Sequence, residues 1–400
     1  MHNDSHRPAT IAVHGGQTVC PLTGAVMPPV YLTSTYAQES PGVHQGFEYT
    51  RSHNPTRYAA ERCVAALEGS TLTTDDDASC GGFAFASGLA AIGTVLDMLS
   101  AGDHVVAMDD LYGGTGRLFR QVKERSQNLS FSFVDMTDLD ALESSITDST
   151  RLIWVETPTN PMLKLADLSA IAAMAKERGI LCGCDNTFCS PMLQQPIRMG
   201  FDFVMHSGTK YLGGHSDVVG GFLVAATSEL AERMRFHQNS IGSILGPFDS
   251  YLMLRGMKTL AIRMQQHCRS AQRIAEHLEG ANGVGTVIYP GLTSHPQHEL
   301  AARQMQIDGA PAGGGMISVV LDTDLPGTRR FLEALRVFTL AESLGGVESL
   351  VNHPAIMTHA SVPAEHRAAL GITDSLVRLS VGIEAVEDLI EDIDSALAAV

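Results

Sequence analysis

The feature that most narrows the fold is an alternation of short apolar runs with helical patterns. The runs are His104–Met108, Leu129–Val134, Arg151–Glu156, Ile180–Asp185, Asp202–His206 and Val218–Ala225. Helical periodicity lies between several of them, at Leu89–Leu99, Asp138–Ile146 and Leu165–Arg178. Strands and helices alternating at this spacing predict an α/β fold with a mostly parallel sheet covered on both faces. In such sheets ligands sit beyond the carboxyl ends of the strands. Asp185 ends one run and Lys210 follows the next. Both therefore approach one rim of the sheet despite their separation along the chain.

A chain of 400 residues exceeds the size at which one core stops growing, so two domains are expected. Residues 1–60 are rich in Pro, Gly, Tyr, Thr and Ser, and they read as an extended arm. Such an arm exposes apolar groups unless it wraps a neighbouring subunit, which favours an oligomer. Its first ten residues read as a loose tail. Residues 61–256 form the large sheet-bearing domain. Residues 257–400 read as a smaller α/β domain, with a long helix at Thr259–Leu278, strands at Met316–Leu321 and Leu376–Val381, and an acidic helix from Val386. Thr71–Cys80, with three consecutive Asp, reads as a surface loop.

The net charge of −17 argues against a nucleic-acid or acidic-membrane binder. No apolar run is long enough to span a membrane, and the N-terminus has no apolar signal region. Seven scattered Cys do not form a disulfide framework, so a reducing cytosol is the expected compartment. Cys182 and Cys184 share a strand face, but no second pair completes a zinc site. The His residues show no HExxH pattern and read as hydrogen-bonded scaffold, so no metal is expected.

Lys210 stands in HSGTKYLGGHSD, among small hydroxylated residues and glycines. A Lys paired with an upstream strand-end Asp suits pyridoxal 5′-phosphate. The amine can take up the aldehyde, and the carboxylate can keep the pyridine nitrogen protonated, which makes the ring an electron sink. Three groups could meet the phosphate. Ser87–Gly88–Leu89 opens a helix whose N-terminal N–H groups favour anions. Ser207 and Thr209 flank Lys210 with hydroxyls. Tyr49 and Arg51 come from the arm, and Arg is a directed, permanently charged phosphate donor.

The segments GFEYTRSHNPTR, MDDLYGGTGRLF, WVETPTNP, DNTFCSPMLQQP, HSGTKYLGGHSDVVGG, FTLAESLGGVESL, IMTHASV and LVRLSVGIE are spread over residues 10–400. Together they resemble the cystathionine-metabolising (Cys/Met metabolism) family of pyridoxal-phosphate enzymes, with the γ-lyase branch most similar. The resemblance implies a type I aminotransferase-like fold and a homotetramer built from active dimers. It implies that Tyr49 and Arg51 hold the phosphate of the neighbouring subunit, while Gly88, Leu89, Ser207 and Thr209 hold it from their own. Tyr112 would stack on the pyridine ring and assist proton transfer. Asn160 would lie near the ring hydroxyl, Asp185 would bond the ring nitrogen, and Thr187 would join the cofactor set. Lys210 would move protons between substrate carbons. Arg378 would grip the substrate carboxylate, helped by Ser343–Leu344, with Tyr49, Asn160 and Arg117 also on the substrate side.

The resemblance also bears on the reaction. Glu342 resembles the acid that holds the distal amino group of cystathionine, and Glu48 adds negative potential near the entrance. This favours α,γ-elimination of L-cystathionine to cysteine, 2-oxobutanoate and ammonia, with hydrogen sulfide as a side product. The rival is γ-replacement on an O-acylated homoserine with cysteine. A β-lyase is disfavoured because its usual counterpart of the Glu342 segment lacks the acid, and a methionine γ-lyase because its substrate has no distal amine. Four departures from the family pattern stand out: Leu89 for Met, Gly208 for Ala or Cys, Gly213 for Asn, and Cys182–Gly183–Cys184 in place of β-branched residues. The glycines predict a loosely packed cofactor bed in which Gly208→Ala keeps activity.

Overall fold

The computed structural model describes residues 6–72, 79–360 and 362–400. Seven strands form the larger sheet: β1 (Gly82–Phe85), β2 (His104–Met108), β3 (Ser130–Val134), β4 (Thr150–Glu156), β5 (Leu181–Asp185), β6 (Phe203–Ser207) and β7 (Gly221–Ala225). Their order is β1-β7-β6-β5-β4-β2-β3. The pairs β2/β3, β2/β4, β4/β5 and β5/β6 are parallel, and β7 runs antiparallel to both its neighbours. The sheet is thus mostly parallel, as the alternating pattern predicts.

Strands β2 and β7 are buried throughout and, apart from His104, apolar, which is what a sheet covered on both faces requires. The element ends follow local chemistry. The helix expected from Leu165 starts at Leu168, because the Asp167 side chain accepts the Ala170 N–H and caps it. It stops at Arg178, where Gly179 adopts a left-handed φ of 65°. The strand expected from Val218 starts at Gly221, because Gly220 is instead tied to Thr209 through both its N–H and its carbonyl.

A smaller sheet follows. Its strands are β8 (Val284–Ile288), β11 (Met316–Leu321), β12 (Thr339–Leu340), β13 (Leu350–Asn352) and β14 (Leu376–Ser380), in the order β12-β13-β14-β11-β8. A two-stranded ribbon, β9 (Gln306–Ile307) with β10 (Ala310–Pro311), lies apart from it. The helices Leu325–Ala334 and Val386–Leu397 pack their apolar stripes on this sheet, burying Leu332 and Leu389 against Ile317 and Val319. The long helix Leu260–Leu278 belongs to both cores. Its Met264 joins Met253 and Met257 in the apolar cluster beside the larger sheet, while Ile274 and Leu278 reach the smaller one. Among the described residues, no helix is long and apolar enough to cross a membrane.

Within the stretch expected to be a loose tail, residues 8–10 belong to a helix. Pro8–His14 forms a helix with Pro in its first turn, and it buries Ile11 and Ala12. Lys258 donates to the Val13 carbonyl at 2.7 Å, and so satisfies a group that the helix end leaves open. Residues 15–54 contain no helix or extended strand, and they expose large apolar side chains, with Leu22 89%, Val26 79% and Leu32 73% accessible. The helix Pro55–Leu67 begins inside the stretch expected to be arm. Most of the acidic loop expected at Thr71–Cys80 falls on residues 73–78, outside the described residues.

Candidate active site

The carboxyl ends of β4, β5 and β6 meet at one rim. The parallel register pairs Glu156 with Asp185 and Asp185 with Met205. After Ser207 the chain turns tightly, with Lys210 N–H donating to the Ser207 carbonyl at 3.1 Å and Gly214 N–H to the Lys210 carbonyl at 2.8 Å. The turn carries Lys210 back over the rim, into a cavity of about 280 Å3 that it shares with Asp185.

Each polar group here has a structural reason for its position. The Asp185 carboxylate accepts the Thr187 N–H at 3.0 Å, and the Thr187 hydroxyl accepts the Ser207 N–H at 2.8 Å, which ties the two strand ends together. Burial pushes the Asp185 carboxyl up from its ordinary pKa, opposed by the Thr187 hydrogen bonds. It has no ion-pair partner among the described residues. Lys210 Nζ donates to the Ser343 hydroxyl at 2.6 Å. Burial, reinforced by the Arg378 charge, lowers the Lys210 pKa to about 8. A much larger share of this amine is therefore neutral at physiological pH than in an ordinary lysine.

The substrate side is built from the smaller sheet. Arg378, on β14, is buried, and burial lowers its pKa to about 10. Its guanidinium donates to Asn160 Oδ1 at 2.7 Å and to the Ser343 carbonyl at 2.9 Å, while Nε has no partner. Ser343 is held in a left-handed conformation, φ 84°, which non-glycine residues adopt only when their surroundings enforce it. Its hydroxyl and carbonyl thus hold the two cations of the cavity. Glu342 and Leu344 line the same cavity. His359 donates to the Asn160 carbonyl at 3.0 Å, which makes it scaffold, and Thr358 beside it faces the cavity.

Pyridoxal phosphate fits these residues on structural grounds. The buried, unpaired Asp185 calls for a cation such as a protonated ring nitrogen. Ser87 caps the helix Gly88–Leu96 by accepting the Ala90 N–H, so the first-turn N–H groups face the cavity beside Ser207 and Thr209. The bed is tight at this end. A Cβ on Gly221 would lie 2.3 Å from the Ser87 carbonyl, and one on Gly88 3.3 Å from Ser207.

Gly88, Leu89, Tyr112, Asn160, Asp185 and Thr187 line this one cavity, together with Ser207, Thr209 and Lys210. Glu342, Ser343, Leu344 and Arg378 line it too. Glu48, Tyr49, Arg51 and Arg117 do not. Arg51 stacks over the Tyr49 ring at 5.4 Å and donates to Asn239 at 3.3 Å, and Glu48 pairs with His44 at 3.6 Å. Arg117 lines a separate cavity with Arg120 and His366.

The loosely packed bed expected from the glycines is not what the structure has. A Cβ on Gly183 would sit 2.7 Å from the Trp154 ring, and one on Gly208 3.0 Å from Phe222 and 3.1 Å from the end of Met253. Larger neighbours fill the space that the small residues leave. Glu156, which stands in none of the expected site positions, also lines the cavity and accepts the Tyr112 N–H at 3.0 Å. The available signal was an acid closing an apolar strand immediately before TPTNP. The seven cysteines are free, and burial raises the Cys182 thiol to about 12. Among the described residues no cluster of His, Cys, Asp or Glu could hold a metal ion.

Comparison with known proteins agrees with this geometry. Residues 9–398 match the model of the Cys/Met metabolism PLP-dependent enzymes. A Coxiella burnetii protein named cystathionine beta-lyase is 56% identical over 97% of each chain. A Dictyostelium discoideum protein named cystathionine gamma-lyase is 49% identical over 98% of each. A solved cystathionine gamma-lyase from Lactobacillus plantarum, complexed with L-serine, superposes with a TM-score of 0.92 at 45% identity, covering 98% of this chain and 99% of that one. A cystathionine gamma synthase from Xanthomonas oryzae pv. oryzae, in complex with aminoacrylate and cysteine, superposes with a TM-score of 0.93 at 43% identity, covering 98% of each. From the two sheets, the rim carrying Lys210 and Asp185, and these matches, the chain belongs to the Cys/Met metabolism family of PLP-dependent enzymes, with its type I fold and smaller C-terminal domain.

Proposed function

We propose that the chain catalyses α,γ-elimination of L-cystathionine, giving cysteine, 2-oxobutanoate and ammonia, with hydrogen sulfide as a side product. The observation that carries this reading is Glu342, which lines the cavity beside Ser343. Its charge acts on both Lys210 and Arg378. An acid there matches the distal ammonium of cystathionine, while Arg378 matches the α-carboxylate by a two-pronged contact.

Pyridoxal phosphate, when bound, supplies an electron sink for charge that develops at the substrate α-carbon. The chain's residues do the rest. Asp185 holds the ring nitrogen in its protonated form. Gly88, Leu89, Ser207 and Thr209 hold the phosphate, and Tyr112 covers the ring. Asn160 fixes Arg378, so that the substrate carboxylate sets the direction of the Cα–H bond. The Lys210 amine, lowered to about 8, removes the α-proton and, once that proton has been passed on, a β-proton. The β C–H electron pair becomes the Cβ–Cγ double bond as the Cγ–S bond breaks, and the sulfur leaves as the thiol with a proton from Lys210. We further propose a homotetramer of active dimers, in which the arm at residues 1–60 brings Tyr49 and Arg51 to the phosphate of the neighbouring subunit, with Glu48 near the entrance. The exposed apolar side chains of the arm support this. The domains at 61–256 and 257–400 and a cytoplasmic location complete the proposal. Arg117 sits in its own cavity in a single chain, so its substrate role would need the arrangement to change.

Two other readings have specific support. Relatives from Coxiella burnetii and Lactococcus lactis, at 56% and 52% identity, are named cystathionine beta-lyase, which favours β-elimination. The likeness to a solved γ-synthase favours γ-replacement. Purified protein with L-cystathionine decides among them. The proposal expects cysteine and 2-oxobutanoate as dominant products. Pyruvate with homocysteine would establish β-elimination. Faster cystathionine formation from an O-acylated homoserine plus cysteine would establish γ-replacement.

A further inference from the structure

One buried acid at the rim has no part in the mechanism above. Glu156 closes β4, and its Cα is the parallel-sheet partner of Asp185. Partners across a parallel pair project to the same face, so both carboxyls enter the same cavity from neighbouring strands. Glu156 is 5% accessible. Its Oε2 accepts the backbone N–H of Tyr112 at 3.0 Å, although Tyr112 lies 44 positions earlier. The same residue opens the turn that carries Asn160, which in turn holds Arg378. Glu156 therefore sits where the loop bearing the aromatic cover, the strand bearing Asp185 and the turn bearing Asn160 converge.

We propose that Glu156 is a positioning residue that fastens the Tyr112 loop to the rim and presents a protonated, uncharged carboxyl to Asp185. The inference rests on the reading of Tyr112 and Asp185 as cofactor contacts. Two neighbouring carboxyls in a dry site do not both ionise cheaply, so one keeps a proton. The groups facing Glu156 decide which. Asp185 faces it from β5 and Asp110 from the loop after β2, and both add negative charge. Arg378, on β14, lies within electrostatic reach of Glu156 without contacting it. Glu156 accepts the backbone N–H groups of Tyr112 and Asn160, but Asp185 receives the Thr187 hydrogen bonds and also the favourable charge of His206 and Lys210, whereas the charges facing Glu156 are those of two acids. Burial pushes Glu156 well above its ordinary pKa. The proton therefore rests on Glu156, and Asp185 keeps the charge that a protonated ring nitrogen needs. A second anion beside Asp185 would instead compete with it for that proton.

The test measures the dissociation constant and absorbance maximum of pyridoxal phosphate added to cofactor-stripped protein. Glu156→Gln retains an acceptor for the Tyr112 N–H and a donor toward Asp185 without charge. It should bind the cofactor within about threefold of wild type, with an unchanged absorbance maximum. Glu156→Ala removes the Tyr112 contact and the uncharged carboxyl beside Asp185, and should weaken binding by about tenfold or more, with a shifted spectrum. If Glu156→Ala does not fold, as judged by circular dichroism, Glu156→Leu replaces it with the same expectation. Glu156→Gln as weak as the apolar variant would show that the charge is required, and would overturn the proposal. An apolar variant with wild-type affinity and spectrum would overturn it too. Tyr112→Ala and Asp185→Ala run alongside. If neither weakens binding, it is the cofactor reading beneath this inference that fails.

Discussion

Gly183→Ala tests whether the small residues leading into Asp185 are matched by large neighbours. Gly183 lies on β5 opposite Trp154 on β4. An added Cβ would sit 2.7 Å from two carbons of the indole. Relaxed carbon–carbon contacts are about 3.5–4.0 Å, so the ring must shift by roughly 1 Å. Trp154 is fully buried in the larger core and has no free direction in which to move. Overpacking of this kind costs about 1–3 kcal/mol. Replacing a strand glycine returns about 0.5–1 kcal/mol through the unfolded chain. The difference spans about 0–2.5 kcal/mol, and because the ring has no room to move aside the expected loss is in its upper part, about 1–2.5 kcal/mol. Urea denaturation followed by circular dichroism measures it, with cofactor held at one saturating concentration because bound ligand adds to apparent stability. Trp154 is the sole tryptophan, so its fluorescence should report the displaced ring directly. Trp154→Phe removes volume and also a buried indole N–H that has no partner. In the double variant the two changes should therefore compensate, with a coupling of about 1 kcal/mol or more. Wild-type stability for Gly183→Ala, or strict additivity in the cycle, would refute the reasoning.

Other expectations follow from the same geometry. Gly208→Ala should keep activity and change stability by less than about 1 kcal/mol, because two of the three close atoms belong to the movable end of Met253; a large activity loss in a folded variant would show that the space itself is needed. Glu342→Ala should raise KM for cystathionine more than for homocysteine, and equal losses would remove its role at the distal amine. Because the Lys210 pKa is lowered to about 8, the rate of cofactor uptake by stripped protein should rise with pH and level off above that value. The sign for stability follows too. The unfolded lysine binds more protons between about 8 and 10.4, so the Lys210 contribution to stability increases with pH across that window, and Lys210→Met should abolish the increase in denaturation midpoints. Arg378→Lys should lose one prong to Asn160 or Ser343 and weaken substrate by about tenfold or more, read in KM.

The parts legible in the sequence are those set by local pattern. Lys210 and Asp185 were recoverable because strand ends in a parallel sheet share a rim, and each is marked by a change from apolar residues to polar ones. The helix caps at Asp138 and Asp167 trimmed the expected helices by a residue or a turn. Strand β1 was missed because GFAF is short and follows the stretch around residues 73–78. The helix at Pro8–His14 was missed because its stability comes from burying Ile11 and Ala12 on distant helices. Trp154 against Gly183, and Glu156 beside Asp185, depend on which strands pair and in what register. Neither is written in any local window. Arg117 was assigned by likeness alone, and the single chain places it in another cavity.

The most direct measurement of the central claim is where the cofactor attaches. Borohydride reduction of the loaded protein fixes the cofactor covalently to the lysine that carries it, and peptide mapping by mass spectrometry locates it. The account predicts the added mass on the Lys210 peptide, and none on the peptides of Lys123, Lys164, Lys176 or Lys258. Cofactor fixed on another lysine, with Lys210 unmodified, would contradict it.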